Sequence, residues 1–336
     1  MADLTTVADD EAVVHDGMDV RVHTGLTAGT AYSIDGFDFR TLPRPGGERL
    51  ATIATVNDVH FGEEVCGLLA GLDLGPTFSS EPGDDPYPEV MNRGAIEEMR
   101  AISPDAVVVK GDLTSSGEPE QYEAFLRAYR PAFGDRLHHV WGNHDAYHGH
   151  VFANDAPIEF DLPGVRVAII DTVIPGKPSG QVSSEQLEWL DELGVRSHGD
   201  RPVLVFGHHH VWSPESRTRE ATYFGIHPDD SEKLIEVFAR RRALVGYFAG
   251  HTHRNRVRRF AATGDVPWVE VACVKDFPGT WAEYRVFDGG ILQIHRRIST
   301  YEALVWTEKT RGMFAGTYYD YAFGQLGDRC FVVSPR

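Results

Sequence analysis

The sequence predicts an α/β fold in which helices cover sheets, on three observations. Short, continuously apolar runs recur between residues 49 and 250, the pattern of strands buried on both faces. Segments of helical period with clear starts lie between them. Polar residues gather just past the ends of the runs, where open α/β sheets bind their ligands. The runs are Leu50-Ala-Thr-Ile-Ala-Thr-Val56, Ala106-Val-Val-Val109, Arg166 to Ile170, Val203 to Phe206 and Leu244 to Phe248. Helical period covers 90–102. Glu118-Pro-Glu opens a helix over 121–130, Ser183-Ser-Glu-Gln one over 187–193 and Asp229-Asp-Ser-Glu one over 233–241. After Gly250 the pattern is all β, with strands over 257–261, 268–274, 282–287 and 291–296 and an Asp288-Gly-Gly turn signal between the last two.

Two segments flank this core, residues 49–296. Residues 1–48 alternate apolar and polar at Val20-Arg-Val-His and Thr30-Ala-Tyr-Ser-Ile, which predicts a small N-terminal β appendage, an edge hairpin packed on the main domain. Residues 297–336 are aromatic-rich without clear period and are expected to pack on the domain as a C-terminal extension. Within the core, the Gly-, Pro- and Asp-rich insertion over 61–89 reads as a surface loop placed to wall or cover a pocket.

Composition excludes several functions. The 336 residues are enough for a large core, and 42% apolar content excludes disorder. Lys plus Arg number 32 against 50 Asp plus Glu, and the resulting net charge of −18 repels nucleic-acid backbones and anionic membrane faces, so neither is an expected partner. Cys66, Cys273 and Cys330 include no CxxC, no basic segment precedes an apolar leader, and no apolar run reaches spanning length. The expectation is a cytoplasmic protein, with a homo-oligomer left open.

Five strand ends carry the chemistry: Val56-Asn-Asp58-Val-His60, Lys110-Gly-Asp112, Trp141-Gly-Asn143-His144-Asp145, Phe206-Gly-His208-His-His210 and Ala249-Gly-His251-Thr-His253. Alternation in an extended segment puts Asp58 and His60 on one side about 6 to 7 Å apart, and His251 with His253 likewise, a spacing that suits two metals. Carboxylate and imidazole without thiolate select Mn, Fe, Zn or Ni and leave the cysteines as bystanders.

Asp-x-His, Gly-Asp, Gly-Asn-His-Asp, His and Gly-His-x-His in this order resemble the calcineurin-like metallophosphoesterases over residues 50–296. Gly111-Asp-Leu-Thr-Ser-Ser-Gly117 followed by Glu118-Pro-Glu-Gln-Tyr-Glu-Ala-Phe125 is similar to class III cyclic-nucleotide phosphodiesterases. The resemblance implies a four-layer αββα sandwich of two mixed sheets flanked by helices. It also implies two divalent or Fe-type ions (Mn, Fe or Zn), one held by Asp58, His60 and His253 and the other by Asn143, His208 and His251, with Asp112 bridging both. His208 is preferred as the ligand with His209 and His210 facing the substrate; His209 as the ligand is the alternative. Ser115 stands where purple acid phosphatases have a tyrosine ligand, which speaks against such a site.

The expected reaction is hydrolysis of a small phosphodiester, for example a 3′,5′-cyclic nucleotide, by in-line attack of a hydroxide that bridges the ions. His144 is the candidate general acid and Asp145 the carboxylate orienting its ring, or else a turn residue satisfying backbone donors. Arg254 heads a basic run that reads as a substrate contact or as a solvated strand face. A broad phosphomonoesterase and a non-catalytic scaffold are the alternatives.

Overall fold

The computed structural model describes residues 2–68, 73–149, 156–199, 201–220 and 223–336. In chain order the elements are β1 Ala2–Val7, β2 Glu11–Asp16, β3 Asp19–Thr24, β4 Ala31–Ile34, β5 Phe37–Arg40, β6 Arg49–Val56, α1 Tyr87–Ala101, β7 Ala106–Lys110, α2 Pro119–Phe133 and β8 Leu137–Val140. There follow β9 Ile158–Leu162, β10 Val165–Ile169, α3 Ser184–Arg196, β11 Val203–Phe206, α4 Pro228–Arg240, β12 Leu244–Ala249, β13 Arg256–Arg258 and β14 Trp268–Glu270. The chain closes with β15 Thr280–Phe287, β16 Gly290–Arg297, α5 Tyr301–Thr310, α6 Tyr318–Phe323, α7 Leu326–Arg329 and β17 Phe331–Val333.

Two six-stranded mixed sheets form the middle of the molecule, in the orders β17-β16-β15-β6-β7-β8 and β13-β14-β12-β11-β10-β9. Strand alternation sorts their side chains into three cores. Ala54 and Val56 of β6 face α1 and α2, where Met91, Phe125 and Tyr129 are buried. Ala51 and Ile53 face the second sheet, meeting Leu204, Phe206 and Phe248. Val203 and Val205 of β11 point the other way, onto Leu190 of α3 and Leu234 of α4. The layers are therefore helix, sheet, sheet, helix, the four-layer αββα sandwich. Burying a side chain such as Phe206 contributes about 1.5–3 kcal/mol. The start of α3 illustrates local agreement with the sequence: the Ser183 hydroxyl oxygen accepts from the Gln186 N–H, as an N-cap should.

The N-terminal segment is richer than a hairpin. β1, β2 and β3 form an antiparallel sheet and β4 and β5 a separate ribbon. The Thr6 hydroxyl donates to the His295 carbonyl at 2.7 Å, and Arg285 on β15 donates to Asp9, Asp10 and Glu11 at 2.7–2.9 Å. The C-terminal residues join the first sheet, β17 pairing with β16 through Ile291 and Val333. Trp306 of α5 stacks on Tyr87 at 4.2 Å between ring centroids, so the far end of the 61–89 insertion packs toward the C-terminal helix. Residues 69–72 of that insertion lie outside the described residues. No described helix is long and apolar enough to cross a membrane.

Candidate metal centre

β6, β7 and β8 of one sheet and β11 and β12 of the other end in the five polar segments. The turns that follow are tight: Asp58, His60, Asp112, His251 and His253 have φ of 54°, 47°, 50°, 68° and 54°. Left-handed backbone is sparsely populated by residues other than glycine, and Asp, Asn and His tolerate it best. The extended geometry expected for Asp58-Val-His60 and His251-Thr-His253 is thus absent. Left-handed turns still bring the ligand atoms of Asp58, His60 and His253 within 4.8 Å of one another, but they send His251 to a second group with His208 and His209. The glycines before the ligands make room. A Cβ on Gly142 would lie 2.1 Å from Asp112 Oδ1, and one on Gly250 2.7 Å from Asp58 Oδ2.

Asp112 lies between the groups. Its Oδ2 is 3.4 Å from His60 Nε2 and 3.4 Å from His208 Nε2, while Oδ1 accepts from the His144 N–H at 2.9 Å. His208 Nδ1 sits 2.8 Å from the Lys110 carbonyl, which can only accept, so Nδ1 carries a proton. Nε2 then faces Asp112 Oδ2 at 3.4 Å and Asn143 Oδ1 at 3.1 Å. Acceptors do not converge on one another without a cation or proton between them. Among the described residues, both ring nitrogens of buried His60, and Nε2 of His209 and of His251, have no hydrogen-bond partner. Carboxylates, imidazoles and an amide oxygen, in two groups sharing Asp112, are a donor set that fits a pair of borderline divalent ions.

Titration tendencies in the site are set by burial and by close charges. Burial works to raise the Asp112 carboxyl, yet His208, His144 and hydrogen bonds hold it well below the usual carboxylate range. Burial works to lower His208, but Asp112 prevails and lifts it to about 9. Burial, helped by the Lys275 charge, takes His60 down to about 4. Lys110, wholly buried with Nζ donating to the Ala249 carbonyl at 3.1 Å, is lowered by burial to about 7.

Several expectations for individual residues need correction. Asp145 does not orient His144. Its carboxylate accepts from the Gly142 and Leu113 N–H groups at 2.8 and 3.1 Å and from the Thr114 N–H and hydroxyl at 2.8 and 2.6 Å. It ties the Asp112 turn to the Asn143 turn, and burial and the Asp112 charge push it up to about 6. The partner of His144 is the Ser115 carbonyl, 2.6 Å from Nδ1. A backbone atom makes that contact, so the identity of the side chain at 115 does not decide it.

His209 and His210 are both buried and each meets a hydroxyl of the protein. His209 is fully buried with Nδ1 2.8 Å from the Thr172 hydroxyl, and its ring packs on His251. His210 is buried with Nε2 2.8 Å from the Tyr223 hydroxyl. Of the three consecutive histidines, His208 alone shares a group with Asp58 and Asp112. Arg254 donates from Nε to Glu270 at 2.8 Å, a carboxylate it shares with Arg258, and lies over the Tyr321 ring.

Cys273 is no bystander. Its thiol donates to Asp276 at 2.9 Å, and Asp276 Oδ2 is 3.7 Å from His253 Nδ1. Asp276 also accepts from the Tyr318 hydroxyl at 2.7 Å, and neighbouring Lys275 donates to Glu63, itself 3.5 Å from His60 Nδ1. The sequence held a signal for this support: Lys275-Asp276 ends an apolar run as the five chosen segments do. Tyr147, next to His144 and Asn143, and Phe224, over the His251 ring at 4.0 Å, carried no such signal.

The chain is 29% identical over 170 residues to a probable cyclic nucleotide phosphodiesterase of Rhodococcus erythropolis, a match spanning 47% of this chain and 54% of that protein. It is 30% identical over 215 residues to a glycerophosphodiester phosphodiesterase of Enterobacter lignolyticus, covering 60% of this chain and 70% of the other. A dimetal phosphatase from Danio rerio superposes over 86% of this chain and all of its own with a TM-score of 0.58 at 15% identity, a likeness of fold. Residues 51–255 match the model of one family, and the chain belongs to it: the calcineurin-like phosphoesterases.

Proposed function

We propose that this protein is a dimetal-dependent phosphodiesterase acting on small soluble phosphodiesters, with 3′,5′-cyclic nucleotides as the leading class. The observation that carries this is the convergence of His60 Nε2 and His208 Nε2 on Asp112 Oδ2, with Asn143 Oδ1 beside His208. Asp58, His60 and His253 would hold one ion and Asn143, His208 and His251 the other, with Asp112 between them. When bound, two such ions supply Lewis acidity, lowering the pKa of water and stabilising charge on phosphoryl oxygens. His144 keeps its ring in place through Nδ1 on the Ser115 carbonyl and, as an imidazolium, gives the Nε2 proton to the departing alkoxide. Asp276 and Glu63 flank His253 and His60 and orient their rings.

The names of two relatives that act on phosphodiesters support the diester over the monoester. Residues 49–296 are read as the catalytic domain, completed by β17, with residues 1–48 docked on β15 and β16. Three buried free thiols favour a reducing compartment, hence the cytoplasm. The test is turnover of bis-p-nitrophenyl phosphate, p-nitrophenyl phosphate, cyclic nucleotides and glycerophosphodiesters with Mn, Zn and Fe supplied separately. Faster turnover of the monoester under every metal would replace this reading with the phosphomonoesterase.

A further inference from the structure

Asn143 differs from the other residues around Asp112 in that its side chain ends in two unlike groups. The oxygen binds a cation and the NH2 repels one, so holding an ion requires that the amide be held one way round. Asn143 is 2% exposed, and its NH2 therefore needs an acceptor within the protein. The acceptor is the hydroxyl of Tyr147, 2.5 Å from Asn143 Nδ2, while Oδ1 lies on the opposite side, 3.1 Å from His208 Nε2. The spacing arises locally. Asn143 precedes the single 3-10 turn His144–Ala146, and Tyr147 follows it, so the two side chains stand on the same side of one turn. The half-buried Tyr147 ring also packs on His144 at 4.8 Å between centroids, which fixes where its hydroxyl lies.

We propose that Tyr147 is a positioning residue for the second ion: its hydroxyl accepts from Asn143 Nδ2 and so keeps Asn143 Oδ1 turned toward Asp112 and His208. It acts through Asn143 and does not touch the reacting phosphate. The proposal rests on the two-ion reading of the site. Loss of a partner that orients a metal ligand typically weakens the metal 10–100-fold. The effect should fall on the ion beside Asn143 and spare the one beside Asp58, His60 and His253, which Tyr147 does not contact.

The test is calorimetric titration of Mn2+ into the chelator-treated full-length chain, comparing the wild type, Tyr147→Phe, Asn143→Ala and the double variant. The expected result is two ions on the wild type, with one binding event about 10–100-fold weaker and the other unchanged in Tyr147→Phe. The double variant should bind no more weakly than Asn143→Ala, because the hydroxyl acts only through that amide. At saturating Mn2+ the phosphodiesterase kcat of Tyr147→Phe should return to near the wild-type value. Tyr147→Phe keeps the ring on His144, and an unchanged melting temperature of the metal-free variant verifies its fold. Two ions bound with wild-type affinities by Tyr147→Phe would overturn the proposal and leave the two-ion reading standing. A kcat that stays tenfold low at saturating metal would overturn it in favour of a substrate contact. A wild type that binds fewer than two ions would remove both.

Discussion

Asp145 offers a sharp trial of how the site is built, because a catalytic and an architectural role lead to different measurements. Its buried carboxylate accepts from the Gly142, Leu113 and Thr114 N–H groups and the Thr114 hydroxyl, thereby joining the two turns that carry Asp112 and Asn143. Asp145→Ala leaves four buried donors without an acceptor. At about 1 kcal/mol each after relaxation, the loss is about 4 kcal/mol. Asp145→Asn keeps the shape but turns an NH2 toward one pair of donors, at a cost of about 2 kcal/mol. With an unfolding entropy of about 2.1 cal/mol/K per residue, 336 residues give a fall of about 6 °C for Ala and about 3 °C for Asn. Scanning calorimetry of metal-free protein reads both. The alkaline limb of the kcat profile, where a general acid is lost by deprotonation, should keep its midpoint in Asp145→Asn, because His144 bonds to the Ser115 carbonyl instead. An unchanged melting temperature together with a displaced alkaline limb would refute this reasoning and return Asp145 to the role of orienting His144.

Three more predictions follow from the same geometry. His144→Ala should lower kcat by about 100- to 10,000-fold while leaving Mn2+ stoichiometry intact in calorimetry, since the ring donates a proton and is not one of the proposed ligands. Chelation should abolish hydrolysis and lower the melting temperature, and added Mn2+ should restore both; activity that survives exhaustive chelation would count against the mechanism. Buried Glu283 is held down to about 2 against an ordinary 4.5 because Arg296 and Arg285 outweigh burial. A depressed carboxylate stabilises the fold above the unfolded pKa and loses that contribution as pH falls through the folded one. Glu283→Gln should therefore be less stable than wild type at pH 7, by a margin on the order of 3 kcal/mol, and the two melting curves should approach each other between about pH 4.5 and 2.

Much of the sandwich was legible because its strands are buried on both faces. Leu204 and Phe206 meet the other sheet while Val203 and Val205 meet α3 and α4, so the run is apolar throughout and stands out. β1 and β2 escaped notice because Leu4-Thr-Thr-Val7 and Ala12-Val-Val-His15 are short and lie among acids that pair with Arg285. Two of the three C-terminal helices showed no period because α6 has six residues and α7 four, fewer than two turns each. In the site, the residues themselves were visible, but who touches whom was not. The contact of His144 with a carbonyl, and the four donors on Asp145, depend on backbone groups that a sequence pattern does not display. Tyr147 was invisible for another reason: a tyrosine after a turn is ordinary, and its meaning comes from the amide beside it.

The central strand of the first sheet has consequences for how the molecule is made. β6 pairs with β7 on one side and with β15 on the other, Thr55 lying opposite Ala282. On a ribosome, the stretch bearing Asp58 and His60 must wait with one flank bare until β15, more than 220 residues later, has emerged. Early collapse can assemble α1, β7 and α2 against β6, but the candidate metal centre closes only when β11, β12 and β15 have joined. A nascent chain stalled before β15 would offer a naked strand to neighbours, and productive maturation is the business of the released product, slow by the standard of locally connected folds.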